Sequence, residues 1–185
     1  MFARYTYISG YIIVQKGEKD MLQNYRPISL TNYDYKIIAF SLFARMQTVI
    51  YKLISNYQTA YIKSRSIGNN IKLVRDLIDY CEEFKIPGII LSLDFEKAFD
   101  TINWEFMFQC LKKFDFGPNF INWVKTLYYD PNMVVKNNGF ISKKIKLQRG
   151  LRQGCPLSAI IFILCVEILA LEISNNENIK GFFPK

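Results

Sequence analysis

Histidine is absent from the 185 residues. Triads with an imidazole base, histidine acid–base catalysis and histidine-ligated metal centres are therefore excluded. Cysteine is sparse. Cys81, Cys110, Cys155 and Cys165 form no C-x-x-C pair, which argues against a zinc ribbon or a thioredoxin-type centre. Isolated thiols of this kind read as buried free cysteines in a reducing, intracellular compartment. The sequence lacks internal repeats and low-complexity linkers, and residues 1–15 do not follow the pattern of a secretory signal. The longest apolar run, Leu157 to Leu171, is shorter than the ~20 residues a membrane span needs and contains Glu167. It reads as a buried helix, with no membrane partner.

Apolar residues make up 50% of the chain and charged residues 22%. That balance, at this length, predicts one globular domain with a real core. The net charge is +8, which suits either a polyanionic partner or a basic surface. The charge is unevenly placed. Residues 1–75 carry 11 basic and 3 acidic side chains, residues 76–130 carry 5 and 10, and residues 131–185 carry 8 and 3. An acidic middle between two basic blocks suits a carboxylate metal site flanked by phosphate-contacting walls, and equally three ordinary solvated faces.

Residues Tyr5 to Val14 alternate loosely and predict a strand, followed by a turn at Gly17 to Asp20. Helical spacing predicts one long helix over Asp34 to Ser55 and another over Ser66 to Phe84. Ile89 to Leu93 is a short apolar run bounded by Pro87-Gly88 and reads as a buried strand ended by Asp94. A helix from Thr101, capped by Asp100, is expected next. Gly117-Pro118 breaks it and a further helix follows around Phe120 to Tyr128. Met133 to Leu147 reads as a hairpin turning at Asn137-Asn138-Gly139. Gly150 to Gly154 is a loop, Pro156 opens the apolar helix, and Asn175 to Gly181 is a polar turn. This alternation predicts an α+β fold, a small antiparallel or mixed sheet backed by helices.

Three segments carry chemistry. Asp94 ends an apolar strand in Leu91-Ser92-Leu93-Asp94-Phe95-Glu96-Lys97-Ala98-Phe99-Asp100. A carboxylate there either binds a cation, as two-metal phosphoryl transfer requires, or caps a turn. Gln148-Arg149-Gly150-Leu151-Arg152-Gln153-Gly154-Cys155-Pro156-Leu157-Ser158 is a basic, glycine-containing loop running into a helix N-terminus. It is an anion site or an ordinary junction. In Asn24-Tyr25-Arg26-Pro27-Ile28-Ser29-Leu30, Arg26 together with Lys16 either closes on a triphosphate or is a surface cation.

The order and spacing of these three segments resemble the reverse transcriptase domain of non-LTR (LINE-type) retrotransposons. The resemblance runs from about Val14 to Gly181, and Gln58-Thr59-Ala60-Tyr61-Ile62-Lys63-Ser64-Arg65-Ser66 is similar to the family's fingers segment. It implies a right-hand polymerase fold in a single partial domain: a fingers-like part with connecting helices over about 1–85 and a partial palm over about 86–185, with a small antiparallel sheet backed by helices. It implies that Asp94 is the first catalytic aspartate and a ligand of two Mg²⁺ ions, with the Phe95 backbone carbonyl beside it. Phe99 matches the aromatic gate that rejects a ribose 2′-OH. Gln153 and Gly154 match the nucleotide pocket, and Arg26 and Lys16 match binders of the incoming triphosphate. Arg65 matches a fingers residue of unassigned role; it is taken with Arg149 and Arg152 as a nucleic-acid contact. The implied partners are an RNA template, a DNA primer and a dNTP.

The sequence departs from the family in two places. Gln15 stands where the family usually has proline. The aromatic-x-Asp-Asp palm motif is absent, and Asp130 is the last aspartate. The expectation is a fragment of an RNA-directed DNA polymerase that does not extend a primer alone, or else a non-catalytic nucleic-acid-binding remnant.

Overall fold

The computed structural model describes residues 7–14, 21, 25–179 and 181. The expected turn at Gly17 to Asp20 and Lys16 lie outside the described residues. In chain order the elements are β1 (Tyr7–Val14), β2 (Tyr25–Leu30), α1 (Tyr33–Gln47), α2 (Ile50–Leu53), α3 (Ile67–Glu83), α4 (Ala98–Thr101), α5 (Trp104–Lys113), α6 (Pro118–Leu127), β3 (Asn132–Asn137), β4 (Phe140–Ile141), β5 (Ile145–Lys146) and α7 (Pro156–Ser174). The fold is α+β.

The helix starts follow local chemistry. The Ser66 side chain accepts the Gly68 amide in front of α3, and Asn103 accepts the Phe106 amide in front of α5. Pro118 and Pro156 occupy the first turns of α6 and α7, where an amide hydrogen would have no partner in any case. Two helix expectations are corrected. The single helix expected over 34–55 divides into α1 and α2, because Thr48-Val49-Ile50 places three β-branched residues in succession. Asp100 does not cap the following helix; it lies within the single turn α4, and Asn103 is the cap of α5.

The sheet runs β2-β1-β3-β4, with β5 also paired to β3. It is mixed rather than purely antiparallel. β1 pairs antiparallel with β2, Tyr11 opposite Ile28, and parallel with β3, Tyr7 opposite Asn132. The expected hairpin is β3–β4, turning at Asn138 (φ 46°) and Gly139 (φ 80°).

Ile89 to Leu93 is not a strand. It pairs with none of β1–β5, and Ile89 is 96% and Leu91 76% exposed. Apolar pattern alone does not make a strand; the ladder needs a partner for every amide and carbonyl.

The core joins α1, α5, α6 and α7 through Ala39, Leu42, Met46, Met107, Leu111, Val124, Ile160 and Leu164. Helix α7 satisfies the length and hydropathy of a membrane span, yet it packs against α1 and α5 and buries Ile160, Ile161, Ile163 and Leu164. Each such side chain contributes about 1.5–3 kcal/mol on leaving water. All four cysteines are free; Cys110, Cys155 and Cys165 are buried and Cys81 is half-buried.

Glu167, inside α7, is buried and fully used. Its Oε1 accepts the Ser55 backbone amide at 2.8 Å and its Oε2 accepts the Ser55 hydroxyl at 3.3 Å. Arg65 grips the same stretch from the other side. Its guanidinium donates to the carbonyls of Tyr51, Ile54, Ser55 and Gln58 at 3.3, 3.4, 2.5 and 2.6 Å. The Tyr51 carbonyl belongs to the short helix α2 and the other three follow its end, where helical partners run out. Arg65, expected as a nucleic-acid contact, is thus spent largely on the chain's own backbone.

Removing the Glu167 carboxylate leaves the half-buried Ser55 amide without its acceptor. Glu167→Ala is expected to cost about 2 kcal/mol, or about 4–8 °C in Tm for a domain of this size. Glu167→Gln keeps an acceptor for the amide and is expected to lose less than half of that. Equal Tm values for the two variants in a thermal melt contradict this assignment.

Candidate nucleotide-binding site

The two motif segments are 46 or more positions apart, yet they lie side by side through backbone hydrogen bonds. The Gly150 amide donates to the Ile102 carbonyl at 2.8 Å, and the Leu151 amide to the Phe99 carbonyl at 2.6 Å. The Trp104 indole Nε1 donates to the Gly150 carbonyl at 2.8 Å. The Gln153 Nε2 donates to Asp100 Oδ1 at 3.3 Å, and the Gln153 carbonyl accepts the Ser29 amide at 3.2 Å. Gly150 has φ +92°, and a Cβ added there would lie 3.0 Å from the Asp100 carbonyl oxygen. The close approach therefore requires glycine.

This seam opens onto a cleft of about 570 Å³ lined by Phe43, Tyr61, Phe99, Arg152, Gln153, Gly154, Cys155, Pro156 and Ala159. Phe99, Gln153 and Gly154 meet there. The Phe99 ring is stacked on Phe162 of α7, centroids 5.0 Å apart and 19° between planes, so its position is set by the core helix. Gly154 has φ +93°, and a Cβ added there would meet the Ser29 carbonyl oxygen at 3.4 Å. Tyr61 lies inside the matched segment Gln58 to Ser66 without having been given a role, and Phe43 lies in none of the matched segments.

Asp94 is exposed and is not among the residues lining this cleft. The expected placement at the buried end of a central strand is overturned, because the strand itself does not form. The Phe95 ring sits edge-on to Phe162, centroids 6.3 Å apart. Among the described residues, no group of three or more carboxylate or thiol side chains is placed to hold a metal ion. The donor set therefore does not fit a two-ion centre. The backbone of Arg26 pairs with Ile13 across β1–β2; its side chain, like Lys16, lies outside the described residues.

Arg152 is corrected as well. It is 4% exposed, with its guanidinium 4.2 Å from the Tyr35 ring centroid and 5.6 Å from that of Tyr128. A planar, weakly hydrated cation stacks on aromatic faces and is withdrawn from solvent, so it is not a surface contact for a phosphate backbone. Its Nε, Nη1 and Nη2 have no hydrogen-bond partner among the described residues. Burial raises the Tyr35 phenol well above its ordinary pKa, with Arg152 pulling it partly back. Burial is also the main cause that raises Tyr128. Both rings stay neutral through physiological pH and present uncharged faces to the cation. Arg149, by contrast, is exposed and lines a neighbouring cleft of about 380 Å³ together with Lys146 and Gly150.

Comparison with known proteins agrees with this arrangement of motifs. Residues 14–182 match the protein family described as reverse transcriptase (RNA-dependent DNA polymerase), and the chain belongs to this family. A 149 kDa uncharacterized protein of transposon TX1 from Xenopus laevis is 35% identical over 156 residues, 84% of this chain and 12% of the relative. The Pol polyprotein of a type-1 R2 retrotransposable element from Popillia japonica is 23% identical over 171 residues, 92% of this chain and 24% of the relative. That of the type-2 element R2DM from Drosophila melanogaster is 24% identical over 150 residues, 80% and 14%. The similarity is to non-LTR retrotransposon proteins, of which this chain spans a quarter or less.

The seam makes a prediction. Gly154→Ala is expected to cost about 1–2 kcal/mol from its left-handed backbone. Gly150→Ala adds a backbone clash with Asp100 and is expected to cost about 1–3 kcal/mol more. Urea unfolding midpoints with unchanged slopes read the difference; equal losses contradict it.

Proposed function

We propose that the cleft is the pocket for an incoming deoxynucleoside triphosphate in an RNA-directed DNA polymerase of a non-LTR retrotransposon. In this reading about residues 1–85 form a fingers-like part with connecting helices and about 86–185 a partial palm. The observation that carries it is the meeting of Phe99, Gln153 and Gly154 around one cleft in a chain of the reverse transcriptase family.

The roles follow from shape. A Phe99 ring backed by Phe162 is a rigid wall against which a deoxyribose fits and a 2′-OH does not. The left-handed backbone of Gly154 forms part of the cleft lining that the nucleotide would meet. Arg26 and Lys16 are assigned to the triphosphate, and Arg149 with Lys146 to the backbone of an RNA template and DNA primer.

The reaction of the family is attack of a primer 3′-oxygen on the α-phosphorus of the dNTP. One P–O bond forms, the bond to the leaving oxygen breaks, pyrophosphate departs and the 3′-OH loses its proton. Reverse transcriptases in general use divalent metal ions for this step. The described carboxylates do not provide that site: Asp94 is exposed and belongs to no cluster of three or more candidate ligands among the described residues. No metal-dependent step is assigned to this chain, and its own activity is read as binding without turnover. The exposed Asp94 is equally what a non-catalytic nucleic-acid-binding remnant would show.

Titration calorimetry with dATP and ATP tests the reading. Wild type is expected to prefer dATP by at least about tenfold, about 1.4 kcal/mol, and Phe99→Val to reduce the preference to about twofold. Equal affinities in wild type, or a preference that survives in Phe99→Val, contradict the gate. Primer extension by the chain alone contradicts the absence of turnover.

A further inference from the structure

We infer that Tyr61 is the stacking platform of the cleft, the surface on which a nucleobase lies; this rests on the reading of the cleft as a nucleotide pocket. Tyr61 lines the cleft with Phe99, Gln153 and Gly154, yet it is 62% exposed. The other two aromatic side chains of the lining are committed to the protein. Phe99 stacks on Phe162, and Phe43 packs against the core and Phe40. The Tyr61 ring makes no ring or cation contact among the described residues, so its face is available to a ligand.

The backbone holds that ring in place at a cost. Tyr61 has φ +56°, a left-handed conformation that a bulky L-residue rarely adopts. Three contacts impose it. The Gln47 Nε2 donates to the Tyr61 carbonyl at 3.2 Å. Gln58 Oε1 accepts the Ala60 amide at 3.0 Å, and the next residue, Ile62, is buried in the core. Beyond these, Glu167 ties Ser55 to α7, and Arg65 holds the carbonyls of Ser55 and Gln58 from the far side of Tyr61. An exposed aromatic ring on a strained, well-braced backbone gains nothing from the fold itself. Sustained strain of this kind is a feature of ligand clamps, and flat aromatic faces in a nucleic-acid groove accept any base by stacking.

The base belongs either to the bound triphosphate or to the template residue that pairs with it, and photocrosslinking separates these sources. One arm uses 5-iodo-dUTP. The other uses an RNA oligonucleotide carrying 5-iodouridine, annealed to a DNA primer. Adducts are mapped by peptide mass spectrometry. An adduct on Tyr61 in either arm supports the inference and identifies the base. Binding should weaken about tenfold or more in Tyr61→Leu and Tyr61→Gly and be retained in Tyr61→Trp. Tyr61→Gly separates this role from a structural one. Glycine suits the left-handed backbone, so its Tm should equal or exceed that of wild type while binding falls. Nucleotide binding that depends on Phe99 and Gly154 but leaves no Tyr61 adduct, with full affinity in Tyr61→Leu, overturns the platform alone. Absence of nucleotide binding in both arms overturns the pocket and the platform together.

Discussion

The site depends on the backbone seam between residues 99–104 and 150–153. Gly150 and Leu151 donate to the carbonyls of Ile102 and Phe99, and Trp104 returns a bond to Gly150. Each bond contributes about 1 kcal/mol net, which is modest. What gives the seam its reach is geometry. Gly150 lies so close to Asp100 that no side chain fits between them. Two distant loops are thereby locked at one register, and Phe99, Gln153 and Gly154 face one space.

Helix α7 supplies the frame behind that seam. Phe162 fixes the Phe99 ring from its partly buried face, and Glu167 holds Ser55 from its buried one. Ser55 is shared, since its carbonyl is held by Arg65. One helix therefore braces both walls of the cleft, the wall with Phe99 and the loop with Tyr61. A carboxylate buried in an apolar helix is costly unless its oxygens are satisfied; here both oxygens accept hydrogen bonds from a single residue.

Much of the fold was legible because it is local. Period and capping marked α3, α6 and α7, and Asn138-Gly139 marked the hairpin. The residues of the cleft were legible through motif order, since Phe99, Gln153 and Gly154 lie in two of the three chemistry-bearing segments. The failures share one cause: a side chain's partner is set by tertiary structure. Arg65 and Arg152 read as nucleic-acid contacts, but one faces a cluster of carbonyls and the other the ring of Tyr35. No local pattern distinguishes these from a lysine in solvent. Ile89 to Leu93 has the pattern of a buried strand and no ladder partner among the described residues. Asp94 loses its expected burial with it. Strand β2 had no expectation from the sequence, where its segment stood out only for Arg26; Pro27 sits inside it, a residue that weakens any strand pattern.

The most direct measurement is amide hydrogen exchange by mass spectrometry, with and without a saturating deoxynucleoside triphosphate. If the seam builds one nucleotide site, peptides covering residues 97–104 and 148–156 gain protection together. The distant surface around Phe114 to Phe120 should stay unchanged. Protection confined to one of the two segments, or found only at that distant surface, contradicts the account.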